Sequence, residues 1–374
     1  MENVIMNKLK KLSVLIPILL FSFSTGTCLI DDPLKMPFQN FVPPNLSDGW
    51  TIAAPEDVDI DGEALKDVYR YVHIDYNIWQ IRSLLVIRDN KLVAESYMKD
   101  NDDRTNPRAV WSCTKQILGI LTGIAVDKGL ISITDTISDY LQLSPSQQAS
   151  KGHITIENLL TMKSGINYSN GGYSGDNDLL MRGVPSSMIN HILDLGMRTT
   201  PGTQFVYKDG DPHIISAILE EKIGKTTRDW AKEVLFDKIG ITRLQWLTYK
   251  DGATFGGWGI YTTPRELGKI GQLVLDEGMW GNQRIVSTAW INEMTSSKVP
   301  SSEIDGGDDT FGYLWWKNTA YNVAFMAGHG GQRVFINKDK NLIVVITSEH
   351  DIDGDLEADE ELSTIALRIN NITR

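Results

Sequence analysis

Ser112-Cys113-Thr114-Lys115-Gln116-Ile117-Leu118-Gly119-Ile120-Leu121-Thr122-Gly123-Ile124-Ala125-Val126-Asp127-Lys128-Gly129 is the most apolar helix-like run in the chain. It has the length of a helix and ends at Gly129, a residue suited to the left-handed position after a C-cap. A helix that is apolar nearly all round belongs inside a core, so the run predicts a buried central helix. On a helix, residues i and i+3 share a face, which brings the Ser112 hydroxyl and the Lys115 amine together at its N-terminal end. A hydroxyl is a poor nucleophile without a base beside it. An ammonium is no base, but burial disfavours its charge. A second Ser-x-x-Lys, Ser96 to Lys99, lies in an alternating stretch that reads as a strand. There, i and i+3 point to opposite faces and cannot act together.

Upstream, Ile81 to Ile87 and Lys91 to Met98 alternate and meet at Asp89-Asn90, a hairpin signal. An amphipathic helix begins near Asp61 and runs to about Tyr71. Downstream, residues 130–254 read mostly as helix and loop, with a polar Gly/Ser/Asn loop at Asn167 to Asp178. Two further helices, Thr263 to Glu277 and Ser287 to Ser296, precede strand-like runs at Phe311 to Lys317, Val323 to Ala327, Gln332 to Asn337 and Asn341 to Thr347. A last helix is expected from Glu357 to Ile369. Strands at both ends with helices between predict a discontinuous α/β sheet domain, 56–130 with 255–374, in which the N-terminal hairpin joins the C-terminal strands. Residues 131–254 form a mainly helical insert domain and 28–55 a proline-rich extended arm.

The chain has 374 residues, 41% of them hydrophobic and 22% charged, which describes a folded protein. Its net charge of −12 argues against nucleic acid and anionic membrane as partners. Lys8, Lys10 and Lys11, then Leu12 to Phe23, then Ser24-Thr25-Gly26-Thr27 read as a secretory signal peptide over 1–27, so an exported protein is expected. Cys28 follows the small residues and opens the option of a lipid anchor. With only Cys28 and Cys113 present there is no disulfide framework. Ile223-Gly224-Lys225-Thr226 lacks the first glycine of a phosphate loop, and the acidic runs Asp57 to Gly62 and Asp351 to Asp355 fail as calcium loops. The histidines show no metal-ligand spacing, and neither metal nor cofactor is expected.

Two other stretches carry chemistry. Pro201 to Asp211 feeds Tyr207 into a Gly-rich bend and then a helix; a Tyr held near a Lys amine is a proton shuttle, and otherwise a rim aromatic. Gly328-His329-Gly330-Gly331-Gln332 opens a strand. Glycines on a strand edge let a ligand come close, and backbone N–H groups there suit a developing oxyanion. The plain alternative is a hairpin glycine pair.

Together with Ile154 to Gly165 and Gly257-Trp258-Gly259 to Leu267, these stretches, in this order, resemble the serine β-lactamase and penicillin-binding-protein family. The nearest likeness is to class C β-lactamases, their esterase relatives and 6-aminohexanoate-dimer hydrolase-like proteins. The resemblance implies an α+β fold: a five-stranded antiparallel sheet flanked by helices plus an all-helical insert. It implies Ser112 as acylated nucleophile, Lys115 and Tyr207 as proton-transfer partners, and the backbone N–H groups of Ser112 and Gln332 as the oxyanion hole. His329, Gly330 and Gly331 take the substrate-binding position. Two departures stand out. Tyr-x-Asn reads Tyr207-Lys208-Asp209, and an ionised Asp accepts but cannot donate. Lys-Thr-Gly reads His329-Gly330-Gly331, and a His is only partly charged near neutrality. Both weigh against good β-lactamase or D-Ala-D-Ala carboxypeptidase activity and toward hydrolysis of small ester or amide substrates through a covalent acyl-enzyme. A non-catalytic binding or sensor module of the same fold is the alternative from a different class.

Overall fold

The computed structural model describes residues 35–74, 80–170, 183, 186–304, 307–349 and 356–374, with side chains of the last helix from residue 360 onward. The expected signal peptide, Cys28, the start of the arm, most of the 167–178 loop and the 351–355 acidic run lie outside the described residues. In chain order the elements that frame the site are β1 (Thr51–Ile52), α1 (Gly62–Ile74), β2 (Ile81–Arg88), β3 (Lys91–Tyr97), α2 (Cys113–Asp127), α3 (Gly210–Ile223), α4 (Pro264–Leu275), β4 (Asp309–Phe311), β5 (Trp316–Asn318), β6 (Val323–Gly328), β7 (Gln332–Asn337), β8 (Leu342–Ser348) and α5 (Leu356–Ile372).

The main sheet has eight strands, in the order β1-β3-β2-β8-β7-β6-β5-β4. The N-terminal hairpin joins the C-terminal strands, with Val86 opposite Val344 across the antiparallel β2–β8 pair. Asp89 and Asn90 both sit at positive φ, 49° and 62°, as a tight two-residue hairpin requires. The expected five strands are the long ones, β2, β3, β6, β7 and β8. Three short strands extend the sheet for local reasons. The run Phe311 to Lys317 is two strands rather than one, because Leu314 turns at φ 61° and folds β5 back on β4. At the other edge the arm adds β1, parallel to β3, so the sheet is not wholly antiparallel.

Alternation along β2 explains how the sheet is buried on both faces. Leu85 and Ile87 point into one core with α2 and α4, while Leu84 and Val86 point into the other with α1 and α5. Fully burying each such side chain contributes about 1.5–3 kcal/mol. The expected all-helical insert is also corrected. Within 131–254, helices such as Pro145–Lys151, Ile156–Leu160 and α3 are joined by a strand, Leu244–Trp246. That strand pairs with Ile260–Thr262, which pairs with Arg108–Ala109 just before Ser112. The insert is therefore laced to the segment that leads into the central helix.

That helix is buried over Cys113–Ala125, as its composition predicts. Small residues make the depth possible: a Cβ on Gly123 would lie 2.1 Å from the Trp290 ring, which donates to the Gly119 carbonyl at 3.0 Å. Gly129 closes the helix at φ 65°. Among the described residues no helix is long and apolar enough to cross a membrane.

Candidate active site

Trp111 adopts a left-handed conformation, φ 48°, and turns the chain into α2. Left-handed backbone at a bulky residue is costly and persists where surrounding structure holds it. Here Val110 N–H donates to the Ile260 carbonyl at 3.0 Å, and the Thr114 hydroxyl accepts from Ile260 N–H at 3.2 Å. Ser112 is the N-cap residue, but its hydroxyl makes no capping hydrogen bond. The hydroxyl faces Lys115 instead, with Nζ 2.6 Å from Oγ.

Lys115 is fully buried. Beyond Ser112 its amine meets two acceptors, an Asp209 carboxylate oxygen in short contact and the Gly257 carbonyl at 2.8 Å. The Tyr207 ring lies alongside, with its centroid 4.9 Å from the same nitrogen. Ser112, Lys115, Tyr207 and Asp209 are thus brought together, across more than ninety positions of sequence. Tyr207 is held in an aromatic wall, tilted against Trp316 at 5.6 Å and edge-on to Phe311 at 6.2 Å between ring centroids.

The glycine-rich strand edge completes the mouth. Gly328 ends β6 where a Cβ would come 2.3 Å from the Val110 carbonyl oxygen and 3.3 Å from Cys113 N, so only glycine lets the sheet press on the Ser112 turn. Across that contact Gln332 pairs with Gly328 at the start of β7, and its carbonyl lies 3.9 Å from Cys113 Sγ. The Gln332 side chain donates to the Ser348 carbonyl at 2.5 Å and to the hairpin carbonyls of His329 at 3.4 Å and Gly330 at 3.3 Å. Gly330 and Gly331 turn the hairpin at φ 73° and 84°. His329 is exposed at the tip and meets the Trp111 ring edge-on at 5.4 Å.

Cys113, one residue from the nucleophile position, is inert by environment. Burial pushes its thiol up to about 12, despite nearby Arg333 and Lys115. Asp209, which the resemblance sets at the Asn position, faces Lys115, whereas its neighbour does not. Lys208 turns away and pairs with buried Asp211 at 3.6 Å, and Asp211 also accepts from the Ser164 hydroxyl at 2.5 Å. Burial raises the Asp211 carboxyl, with Lys208 and Ser164 opposing. Sequence reading also missed the Gly257 carbonyl and the wall of Phe311 and Trp316. Their signals, a Gly-Gly pair and aromatic residues on short strands, are too common to single out. No group of three or more His, Cys, Asp or Glu side chains that could hold a metal occurs among the described residues.

A serine and a lysine meeting at the head of a buried helix, beside an antiparallel sheet edge, define the serine hydrolases of the β-lactamase fold. The family model for beta-lactamase matches residues 82–367, and the chain belongs to that family. The 6-aminohexanoate-dimer hydrolase of Paenarthrobacter ureafaciens is 22% identical over 295 residues, covering 72% of this chain and 73% of that protein. A family VIII carboxylesterase structure superposes with a TM-score of 0.66 at 17% identity, covering 83% of this chain and 96% of the other. A class C beta-lactamase gives 0.61 at 15% identity, covering 83% and 95%. At these identities the structural likenesses establish the fold alone.

Proposed function

We propose that this chain hydrolyses small ester or amide acyl donors through an acyl-enzyme on Ser112. The observation that carries the reading is the 2.6 Å contact between Ser112 Oγ and a lysine amine excluded from water. Two fixed acceptors, Asp209 and the Gly257 carbonyl, claim two of the hydrogens on Lys115 Nζ. Its remaining position faces Ser112 and holds either a proton or the lone pair. With the lone pair there, the amine removes the hydroxyl proton as Oγ bonds to the acyl carbon. The carbonyl oxygen becomes an oxyanion, for which the N–H groups of Ser112 and Gln332 are the donors. As the bond to the leaving group breaks, the proton passes to the departing alcohol or amine through Lys115 and Tyr207. Water then attacks the Ser112 ester by the same route, releasing a carboxylic acid and restoring the hydroxyl.

A relative named as a 6-aminohexanoate-dimer hydrolase supports the substrate class. β-Lactam or D-Ala-D-Ala turnover is the weaker reading, since the exposed group at the hairpin tip is His329 and the residue beside Lys115 is Asp209. Export rests on the pattern of residues 8–27 and is tested by fractionation of the expressing cell. For the chemistry, Ser112→Ala abolishes turnover of a p-nitrophenyl ester in a folded protein, and retained turnover overturns the proposal. Nitrocefin hydrolysis exceeding ester hydrolysis favours the β-lactamase reading.

A further inference from the structure

His213 is fully buried in the first turn of α3, away from the mouth, and nothing in the sequence marks it. It stands four residues after Asp209, so the two share one face of the helix N-terminus. That face meets Gly256-Gly257. A Cβ on Gly256 would lie 2.0 Å from the Pro212 carbonyl oxygen, and one on Gly257 would lie 2.7 Å from Asp209 Cβ, so the pair is glycine because the backbone runs directly along the helix start. Both N–H groups converge on one ring nitrogen: Gly256 N donates to His213 Nδ1 at 2.9 Å and Gly257 N at 3.3 Å. Nδ1 must therefore carry its lone pair, and the proton sits on Nε2. The carbonyl of Gly257 is the acceptor that meets Lys115 Nζ at 2.8 Å.

From this chain of contacts we infer that His213 is a positioning residue for Lys115, acting through the Gly256-Gly257 backbone. The inference rests on the acyl-enzyme reading above. The ring fixes the two peptide planes that carry the Gly256 and Gly257 N–H groups, which places the Gly257 Cα; the next plane starts there, and its Gly257 carbonyl takes one hydrogen of the amine, which leaves the third position aimed at Ser112. Phe255 and Trp258 enclose the ring, with centroids at 5.7 and 6.5 Å, and hold it in place. Without an acceptor at Nδ1 the glycine pair loses its anchor and the amine its bearing, while the substrate mouth is untouched.

Three substitutions separate this from a packing role. In Asn, Oδ1 stands where Nδ1 stands in His; in Gln, Oε1 reaches only the place of Nε2; Leu offers no acceptor. The full-length protein is assayed for p-nitrophenyl acetate turnover, for the rate of labelling by a fluorophosphonate, and for thermal midpoint. His213→Leu is expected to lower kcat and labelling rate about 10²-fold with KM within about twofold, His213→Asn to restore both to within about fivefold, and His213→Gln to restore neither. Wild-type kcat in His213→Leu, or equal behaviour of His213→Asn and His213→Gln, overturns the inference. If His213→Leu does not fold, the Asn and Gln pair decides alone. Ser112→Ala in the same assay keeps the two claims apart: an active Ser112→Ala sinks the acyl-enzyme reading, whereas an inactive Ser112→Ala beside an active His213→Leu sinks only the role of His213.

Discussion

The carboxylate of Asp209 accepts a hydrogen bond from the Lys115 amine in a contact that leaves Lys115 fully buried and Asp209 nearly so. A negative charge at that distance favours the ammonium form of the lysine, and an ammonium cannot take the Ser112 proton. Replacing the carboxylate by an amide keeps an oxygen for Lys115 and removes the charge. Asp209→Asn is expected to move the acid limb of the kcat/KM profile about one to three pH units downward, the range an adjacent opposite charge imposes. A profile superimposable on wild type shows that the amine is not the group titrating in that limb.

The contact of Gly328 with the Ser112 turn sets a second expectation. Gly328→Ala drives a methyl into the Val110 carbonyl, and the sheet edge must withdraw from α2. The expected result is a stability loss of about 1–3 kcal/mol in denaturant titration, with ester turnover falling more than stability does. Unchanged turnover at reduced stability removes the strand edge from the mechanism.

Much of this was legible in the sequence, for physical reasons that also mark where legibility ends. The central helix showed because an apolar run closed by glycine has one stable home. The Asp89-Asn90 hairpin showed because its turn chemistry is local. The split of Phe311 to Lys317 into β4 and β5 did not, because Leu314 adopts a positive φ that local sequence disfavours and Lys298, Val299 and Trp315 support by backbone hydrogen bonds around Phe311 and Gly312. Within the site, the meeting of Ser112 and Lys115 was readable from their spacing at the head of an apolar helix, since the same spacing on the Ser96 strand brings no such pair together. Asp209 was legible only through the Tyr-x-Asn resemblance: which of two neighbouring charges faces the site depends on the helix start, and the local residues alone do not decide it. His213 acts through a backbone brought in from more than forty positions away, which no local pattern encodes.

Stability has its own buried charge network. Glu95 accepts from Arg265 at 2.7 Å and from Arg104 at 2.8 Å, and Arg265 in turn donates to Asp48 at 2.9 Å, clamping the arm to α4 and β3. Glu95→Gln leaves two guanidinium groups without their shared anion. The expected cost is about 3–5 kcal/mol by denaturant titration. Glu233→Ala, which breaks the exposed pair with Lys225, should cost less than about 1 kcal/mol. Similar costs for the two contradict the placement of Glu95.

His73 gives stability a pH dependence of known sign. Its Nδ1–H donates to the Met36 carbonyl at 2.9 Å, so the neutral ring accepts from the Ser96 hydroxyl at Nε2, 2.8 Å away. Burial lowers the imidazole below its ordinary value, outweighing the hydrogen bond to Met36. The unfolded chain therefore takes up this proton first as pH falls, and stability drops from about pH 6.5 down to the folded value. His73→Gln should flatten the slope of thermal midpoint against pH in that window. An identical slope in both proteins assigns the acid sensitivity to other groups.

The most direct test is intact-mass detection of the covalent adduct. Wild-type protein treated with a fluorophosphonate is expected to gain one adduct mass, mapped by digestion to the peptide bearing Ser112, and Ser112→Ala to gain none. An adduct on another residue, or no adduct on a folded wild-type protein, contradicts the account.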